Sequence, residues 1–283
     1  MNTSCLFVNL VRLCKIFGLG ILILTLFLWA FQTYGVYHFS HSDTAPDSLE
    51  TPGIERIALQ AEDGSIIYVW VAQPEKNKAI IISFHGNFAE IAPSFKRLLP
   101  WVESGYGLIM LEYRGSSNAP GRLSEKRLRS DAQTVYDRLD QLIPGKADTD
   151  PVFVHGYSLG SSPATWLAAH RPIDGLIFEA GYTRLIDYWE RRYKGIPIFR
   201  LMWSERHENI EIIPNVTAPI LILHGAKDGA LPVAWPKAIF EVAKAPKRLI
   251  VYPQGSHADL HRHGMLEDVR AFITNPIRFV TSH

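Results

Sequence analysis

Gly156-Tyr157-Ser158-Leu159-Gly160 is the stretch on which the reading of the whole chain turns. It has the form Gly-x-Ser-x-Gly. The apolar run Pro151-Val152-Phe153-Val154-His155 precedes it, and a helix-compatible run through Ala164, Trp166, Leu167 and Ala168 follows. A serine on a sharp turn between a strand and a helix is the setting of a nucleophile elbow, which lifts the hydroxyl clear of the sheet. The flanking glycines suit a strained turn in which strand and helix approach too closely for Cβ atoms. A serine hydroxyl is a poor nucleophile until a base takes its proton. The pentapeptide also arises by chance, as one of many serines in Gly-rich turns, so its weight depends on what surrounds it.

Working outward, strands and helices alternate from Gly53 onward. Ile54–Leu59 and Ile66–Ala72 flank Glu62-Asp63-Gly64, a hairpin turn signal. Ala79–Phe84, Leu108–Leu111, the run before Ser158, Leu176–Phe178, Ile220–Leu223 and Arg248–Tyr252 read as further strands. Helical stretches are expected around Phe95–Val102, over Glu125–Leu142 (spacing Leu128, Ala132, Val135, Leu139), after Ser158, over Trp235–Ala243 and over Met265–Phe272. Continuous apolar runs alternating with helices predict an α/β fold: a mostly parallel sheet with helices on both faces, opened by an antiparallel hairpin. Leu185 to Ile213 is the least regular part and is rich in aromatic and basic residues. It reads either as a small lid or as a crossover helix with a solvated basic face.

In parallel sheets, ligand chemistry gathers at the carboxyl ends of the strands. Ser158 stands at one such end as the candidate nucleophile. His85-Gly86-Asn87-Phe88 follows Ile80–Phe84 and is a candidate oxyanion loop. Its backbone N–H at Asn87, with Phe88 as the alternative, would act with the N–H of Leu159 on a developing oxyanion. The plain alternative is a Gly-containing turn. Asp228, in His224-Gly225-Ala226-Lys227-Asp228, would hold a histidine in the needed tautomer; a turn or cap aspartate is the plain alternative. His257, in Gly255-Ser256-His257-Ala258-Asp259-Leu260, would be the general base and then the general acid.

The chain order Ser158, Asp228, His257 is that of one particular fold, and four strand-end signals in order are far more specific than any one alone. On these residues the chain resembles the alpha/beta-hydrolase superfamily. More narrowly, it is similar to a single-span, membrane-anchored branch that includes lysophospholipid and depalmitoylating hydrolases. The likeness runs from about Ile54 to the C-terminus. It is carried by His85-Gly86-Asn87, Tyr113-Arg114-Gly115, the elbow, Phe178-Glu179 and the Asp228 and His257 motifs. It implies an alpha/beta-hydrolase fold and a serine hydrolase. Ser161 and Glu179-Ala180-Gly181-Tyr182 depart from the branch's usual glycine and Asn-Thr-Phe, and these departures bear on substrate rather than on the triad.

Ile16 to Tyr37 carries no charged side chain; as a helix it would span about 33 Å, enough for a hydrocarbon core of about 30 Å. Arg12 and Lys15 precede it, and Trp29, Phe31, Tyr34 and Tyr37 crowd its far end like an interfacial aromatic belt. A cleaved signal peptide and a buried core helix fit the same pattern. The length of the run, with bulky aromatics where small cleavage-site residues belong, favours an uncleaved anchor. The expected organisation is a cytoplasmic stub and anchor over residues 1–37, a linker over 38–52, and the hydrolase domain over 53–283 with the lid-like segment at about 185–213. Positive charges ahead of the span put the catalytic domain on the non-cytoplasmic side.

The remaining composition excludes more than it suggests. Of 283 residues 47% are hydrophobic and 20% charged, and a net charge of +1 with no basic stripe gives nucleic acid no electrostatic footprint. The only cysteines, Cys5 and Cys14, lie ahead of the main domain, which rules out a disulfide framework, a cysteine zinc site and a cysteine nucleophile there. His257, His261 and His263 read better as one catalytic and two polar histidines than as metal ligands. Asn215-Val216-Thr217 fits a glycosylation acceptor, a frequent tripeptide. No nucleotide-binding glycine pattern occurs, so no cofactor is expected. The expected partners are a lipid-like acyl ester or thioester and the bilayer. An aminopeptidase on the same triad, with Glu179 or Glu90 holding a substrate amine, and an inactive membrane-anchored binding protein are the alternatives.

Overall fold

The apolar runs Ile80–Phe84, Gly107–Glu112, Val152–Tyr157, Gly175–Glu179 and Ile220–Gly225 become the inner strands of one sheet because they can be covered on both faces, while the runs at its edges stay partly exposed. The computed structural model describes residues 3–39, 45–49, 51–88, 90–146, 150–194 and 197–281. Helix α1 (Thr3–Ala30) comes first, followed by a π-helical turn, Phe31–Gly35. Strands β1 (Ile54–Gln60) and β2 (Ile66–Ala72) form the opening hairpin, and β3 is Ile80–Phe84. Then come α2 (Ile91–Val102), β4 (Gly107–Glu112), α3 (Glu125–Asp137), α4 (Leu139–Leu142), β5 (Val152–Tyr157) and α5 (Ser161–His170). They are followed by β6 (Gly175–Glu179), α6 (Leu185–Arg192), α7 (Asn209–Ile212), β7 (Ile220–Gly225) and α8 (Ala234–Val242). Strand β8 (Lys247–Tyr252), α9 (Met265–Thr274) and α10 (Pro276–Thr281) complete the described chain.

Among the described residues the eight strands form one sheet in the order β1-β2-β4-β3-β5-β6-β7-β8. Pairing is antiparallel between β1 and β2 and between β2 and β4, and parallel from β4 to β8. The period-2 alternation of a strand splits the core in two. Ile80, Ile82 and Phe84 face a layer built from α3, α5 and α8, whereas Ile81 faces α2 and α9. The order reverses around β3 and β5, so the loop after β3 and the elbow after β5 lie side by side, where open α/β sheets bind ligands.

Two differences from the sequence reading have clear causes. The single helix expected over Glu125–Leu142 is broken at Arg138 (φ −113°, ψ 18°). Leu128, Ala132, Val135, Leu139 and Leu142 all reach the same core, so the apolar spacing continues through the break and hides it. At the N-terminus the helix extends ahead of the charge-free window to include Arg12 and Lys15, and Phe7–Ala30 is long and apolar enough to cross a bilayer. Its aromatic end does not form a uniform belt. Trp29 and Tyr34 are exposed, whereas Phe31 packs edge-on against Trp189 at 5.0 Å between ring centroids. Gln32 is buried and its side-chain oxygen accepts the backbone N–H groups of Trp203 (2.9 Å) and Ser204 (2.7 Å). The expected linker over residues 38–52 lies partly outside the described residues; within it Leu49 is buried beside Ile54.

Candidate active site

Strand β5 ends at Tyr157, and the next residue, Ser158, has φ +53°, the left-handed backbone that lifts its side chain off the sheet. The cost of such a conformation in a non-glycine residue is about 1–3 kcal/mol and is met by the packing around it. A Cβ on Gly160 would overlap the Phe84 carbonyl, so the elbow can approach β3 only with glycine there.

The turn after β7 brings Asp228 beneath the elbow. One carboxylate oxygen accepts the N–H groups of Ala230 (2.9 Å) and Leu231 (2.8 Å); the other lies 2.7 Å from His257 Nδ1. His257 Nε2 is 3.0 Å from Ser158 Oγ. The Asp228 side chain has no exposed surface and that of His257 is 27% exposed. Burial by itself would raise the Asp228 carboxyl, but the hydrogen bond and charge of His257 and the Leu231 N–H outweigh it and hold it below the usual carboxylate range. An ionised carboxylate on Nδ1 sets the tautomer that carries its proton there, leaving Nε2 as a base aimed at Ser158.

The loop after β3 supplies the facing wall. A Cβ on Gly86 would stand 2.9 Å from the Tyr157 ring and 3.4 Å from Ser158 Cβ, so the loop reaches the elbow only as glycine. The Phe88 N–H donates to the His38 carbonyl at 2.9 Å and is occupied. Among the described residues no acceptor meets the Asn87 N–H. The Asn87 side chain is itself held: Nδ2 donates to the Val36 carbonyl (2.8 Å), and Oδ1 accepts the His38 N–H (3.0 Å). Tyr113 donates its hydroxyl to the His85 carbonyl (2.8 Å) and stacks on the His85 ring. In the sequence Tyr113 stands out only within the Tyr113-Arg114-Gly115 motif, and no pattern points to its hold on this loop.

Ser158 and His257 open into a cavity of about 270 Å³ lined also by Asn87, Phe88, Tyr157, Leu159, Tyr182, Leu185, Tyr188, Trp189, Ala230 and Leu231. Leu185, Tyr188 and Trp189 come from α6, so the irregular segment borders the site. Its far arm is pinned to α5: Asn209 donates to Ser161 Oγ (2.9 Å) and to the Tyr182 carbonyl (3.0 Å), and His207 Nδ1 lies 2.8 Å from Ser162 Oγ. Ser161, one of the departures from the expected pattern, thus has a structural task.

Glu179, the other departure, is fully buried beneath the site. Arg97 donates to both its oxygens (2.5 and 3.0 Å), His155 Nε2 lies 2.9 Å away, and the Arg97 guanidinium covers the Tyr157 ring. Burial by itself would raise the Glu179 carboxyl, but Arg97 and His155 pull it down to about 2. Glu179 therefore braces the elbow strand and is not free to hold a substrate amine. Glu90 precedes α2, and none of the described residues lining the cavity is an acid. Among the described residues no three His, Cys, Asp or Glu side chains gather into a metal site.

This sheet order, elbow and strand-end loops define the alpha/beta-hydrolase fold. No protein-family model matches the chain. It is 27% identical over 257 residues to the uncharacterized protein Rv2307c of Mycobacterium tuberculosis, covering 88% of this chain and 89% of that one. It is 26% identical over 229 residues to the lysophosphatidylserine lipase ABHD12 of Danio rerio, covering 68% of this chain and 59% of that protein. Among solved structures it is similar to the esterase Pf2001 of Pyrococcus furiosus, with a TM-score of 0.64 at 16% identity over 86% of this chain and 97% of the esterase. The chain is a hydrolase of the alpha/beta-hydrolase fold.

Proposed function

We propose that this chain is a membrane-anchored serine hydrolase that cleaves carboxylic esters or thioesters of lipid-like or acylated substrates through an acyl-enzyme. The observation that carries the reading is the continuous run of contacts from Asp228 to His257 (2.7 Å) and on to Ser158 (3.0 Å) at the floor of a mainly apolar cavity. Ser158 Oγ attacks the acyl carbon while His257 Nε2 takes its proton, and Asp228 stabilises the imidazolium. The carbonyl oxygen becomes an oxyanion facing the N–H groups of Asn87 and Leu159. As the C–O or C–S bond breaks, His257 returns the proton to the departing alcohol or thiol. Water, deprotonated in turn by His257, then releases the acid and restores Ser158.

The cavity, close to the lower end of the usual ligand-pocket range of about 300 Å³, suits one acyl chain rather than two. In this reading Leu185–Ile213 is a lid, α1 is the anchor, and Arg12 and Lys15 hold the catalytic domain on the non-cytoplasmic side. Tethering raises the encounter rate with substrates that reside in the bilayer. The aminopeptidase alternative lacks a free acid at the cavity, because Glu179 is bound by Arg97 and His155.

Fluorophosphonate labelling of the detergent-solubilised chain tests the mechanism. Wild type is expected to label and Ser158→Ala is not. Full labelling of the variant, or an unlabelled wild type, refutes the proposal. A series of esters and thioesters of increasing chain length then defines the acyl group.

A further inference from the structure

Tyr157, between Gly156 and Ser158 in the elbow, presents its ring to several parts of the candidate site at once. The ring lies 5.4 Å from the His257 ring, centroid to centroid, with 39° between the planes. The Arg97 guanidinium covers the same ring, 4.4 Å from its centroid. A Cβ on Gly86 would stand 2.9 Å from its edge, so the loop after β3 closes against it as well. The ring also lines the cavity that holds Ser158. Burial and the Glu179 charge push the Tyr157 hydroxyl up, so it stays a neutral phenol. Among the described residues no hydrogen bond reaches that hydroxyl.

The cation on this ring is balanced. Glu179 lies opposite Tyr157 in the β5–β6 register and takes both Arg97 donors. His155 Nε2 lies 2.9 Å from the same carboxylate, and His155 Nδ1 lies 2.9 Å from Ser83 Oγ. Stability alone gives little reason for a buried ion pair here, because apolar side chains of similar volume often serve it as well. The reaction gives one. When His257 takes the Ser158 proton, an imidazolium forms beside the Tyr157 ring. The face of an aromatic ring attracts a cation within about 6 Å of its centroid. A lone guanidinium on that ring would oppose the new charge, whereas one closed by a carboxylate holds the ring without opposing it.

We propose that Tyr157 is a positioning residue for His257. Its ring, fixed by the Arg97–Glu179 pair, holds the imidazole in line with Ser158 and stabilises the imidazolium formed during attack. The proposal rests on the serine-hydrolase reading and adds three residues to it. The proton passes from Ser158 Oγ to His257 Nε2 as the bond from Oγ to the acyl carbon forms, and none passes through Tyr157.

Tyr157→Phe and Tyr157→Leu, each in the full chain in neutral detergent, separate the ring from its bulk and its hydroxyl. The readouts are kcat and KM for p-nitrophenyl butyrate and the rate of fluorophosphonate labelling. All rates are taken per site labelled at the end point, so unfolded protein does not count. Tyr157→Leu should fall about tenfold below Tyr157→Phe in kcat and in labelling rate, with a smaller change in KM. Equal rates in the two variants overturn the proposal. Glu179→Gln leaves the guanidinium unbalanced on the ring and should lower kcat about tenfold. Adding Arg97→Met removes that cation and should recover most of the lost rate, which a purely structural defect would not do. A slow Glu179→Gln with no recovery in the double variant overturns the part given to the ion pair. If Glu179→Gln does not fold, the two Tyr157 variants decide alone. If wild type neither labels nor turns over ester, the hydrolase reading fails and this role falls with it.

Discussion

The side-chain amide of Asn87 donates to the carbonyl of Val36 at 2.8 Å, tying the loop that faces Ser158 to the chain just beyond the N-terminal helix. The bond is one of three: the Asn87 side-chain oxygen accepts the His38 N–H, and the Phe88 N–H donates to the His38 carbonyl. The same segment is fastened to the far side of the site through Gln32 and through Tyr37, which contacts His207 and Glu205. The segment that follows the N-terminal helix thus braces the loop that walls the candidate site.

Asn87→Ala keeps the backbone N–H but removes two of the three bonds. We expect kcat to fall about tenfold, short of the roughly 10²–10³ that follows outright loss of an oxyanion donor, with KM little changed. Steady-state ester hydrolysis checks it; an unchanged kcat would show that the clasp does not position the donor.

Asp228→Asn should preserve the geometry yet favour the wrong imidazole tautomer, lowering kcat by about 10⁴. Because His257 remains, fluorophosphonate labelling of Ser158 should slow strongly rather than vanish. Labelling at the wild-type rate would separate Asp228 from the mechanism.

Glu179→Ala should be severely destabilising. It leaves Arg97 unpaired, with its side chain 13% exposed, and breaking such a buried pair costs about 3–5 kcal/mol. Chemical denaturation measures this, and a loss below about 1 kcal/mol, the level of a surface pair, would place the network outside the stabilising core.

Stability should fall as the solution is acidified, in two overlapping windows. Burial pushes the His85 imidazole down from 6.5 to about 4. Between those values the unfolded chain binds a proton that the folded chain does not, so stability present above 6.5 is lost as pH drops toward 4. Glu179, lowered from 4.5 to about 2, adds a loss of the same sign between those values. Denaturation midpoints across this range test it; for His85→Phe the loss in the upper window should shrink but not vanish, because burial also lowers His155, His207 and His224.

The sheet was legible because its signals are local. Apolar runs such as Ile80–Phe84 and Ile220–Leu223, each ending in a glycine-containing turn, announce buried parallel strands whatever lies beside them. The break at Arg138 was not legible, because the apolar spacing runs through it unchanged. The end of α1 was only partly legible for a related reason. An aromatic cluster at the end of an apolar helix looks the same whether it meets lipid or protein, and only the folded domain turns Phe31 and Gln32 inward while leaving Trp29 and Tyr34 outside.

The amino-acid sequence by itself determined the fold class, the strand-end positions of Ser158, Asp228 and His257, and the long apolar segment, since periodicity and turn chemistry act over a few residues. Tertiary structure alone decided that these three side chains lie within hydrogen-bond reach of one another and that the Phe88 N–H is occupied while Asn87's is not. It also decided that Glu179 is bound beneath the elbow, and that Arg97 and His257 meet the same Tyr157 ring. Those relations join residues far apart in the chain through side-chain directions and packing, which no local pattern encodes.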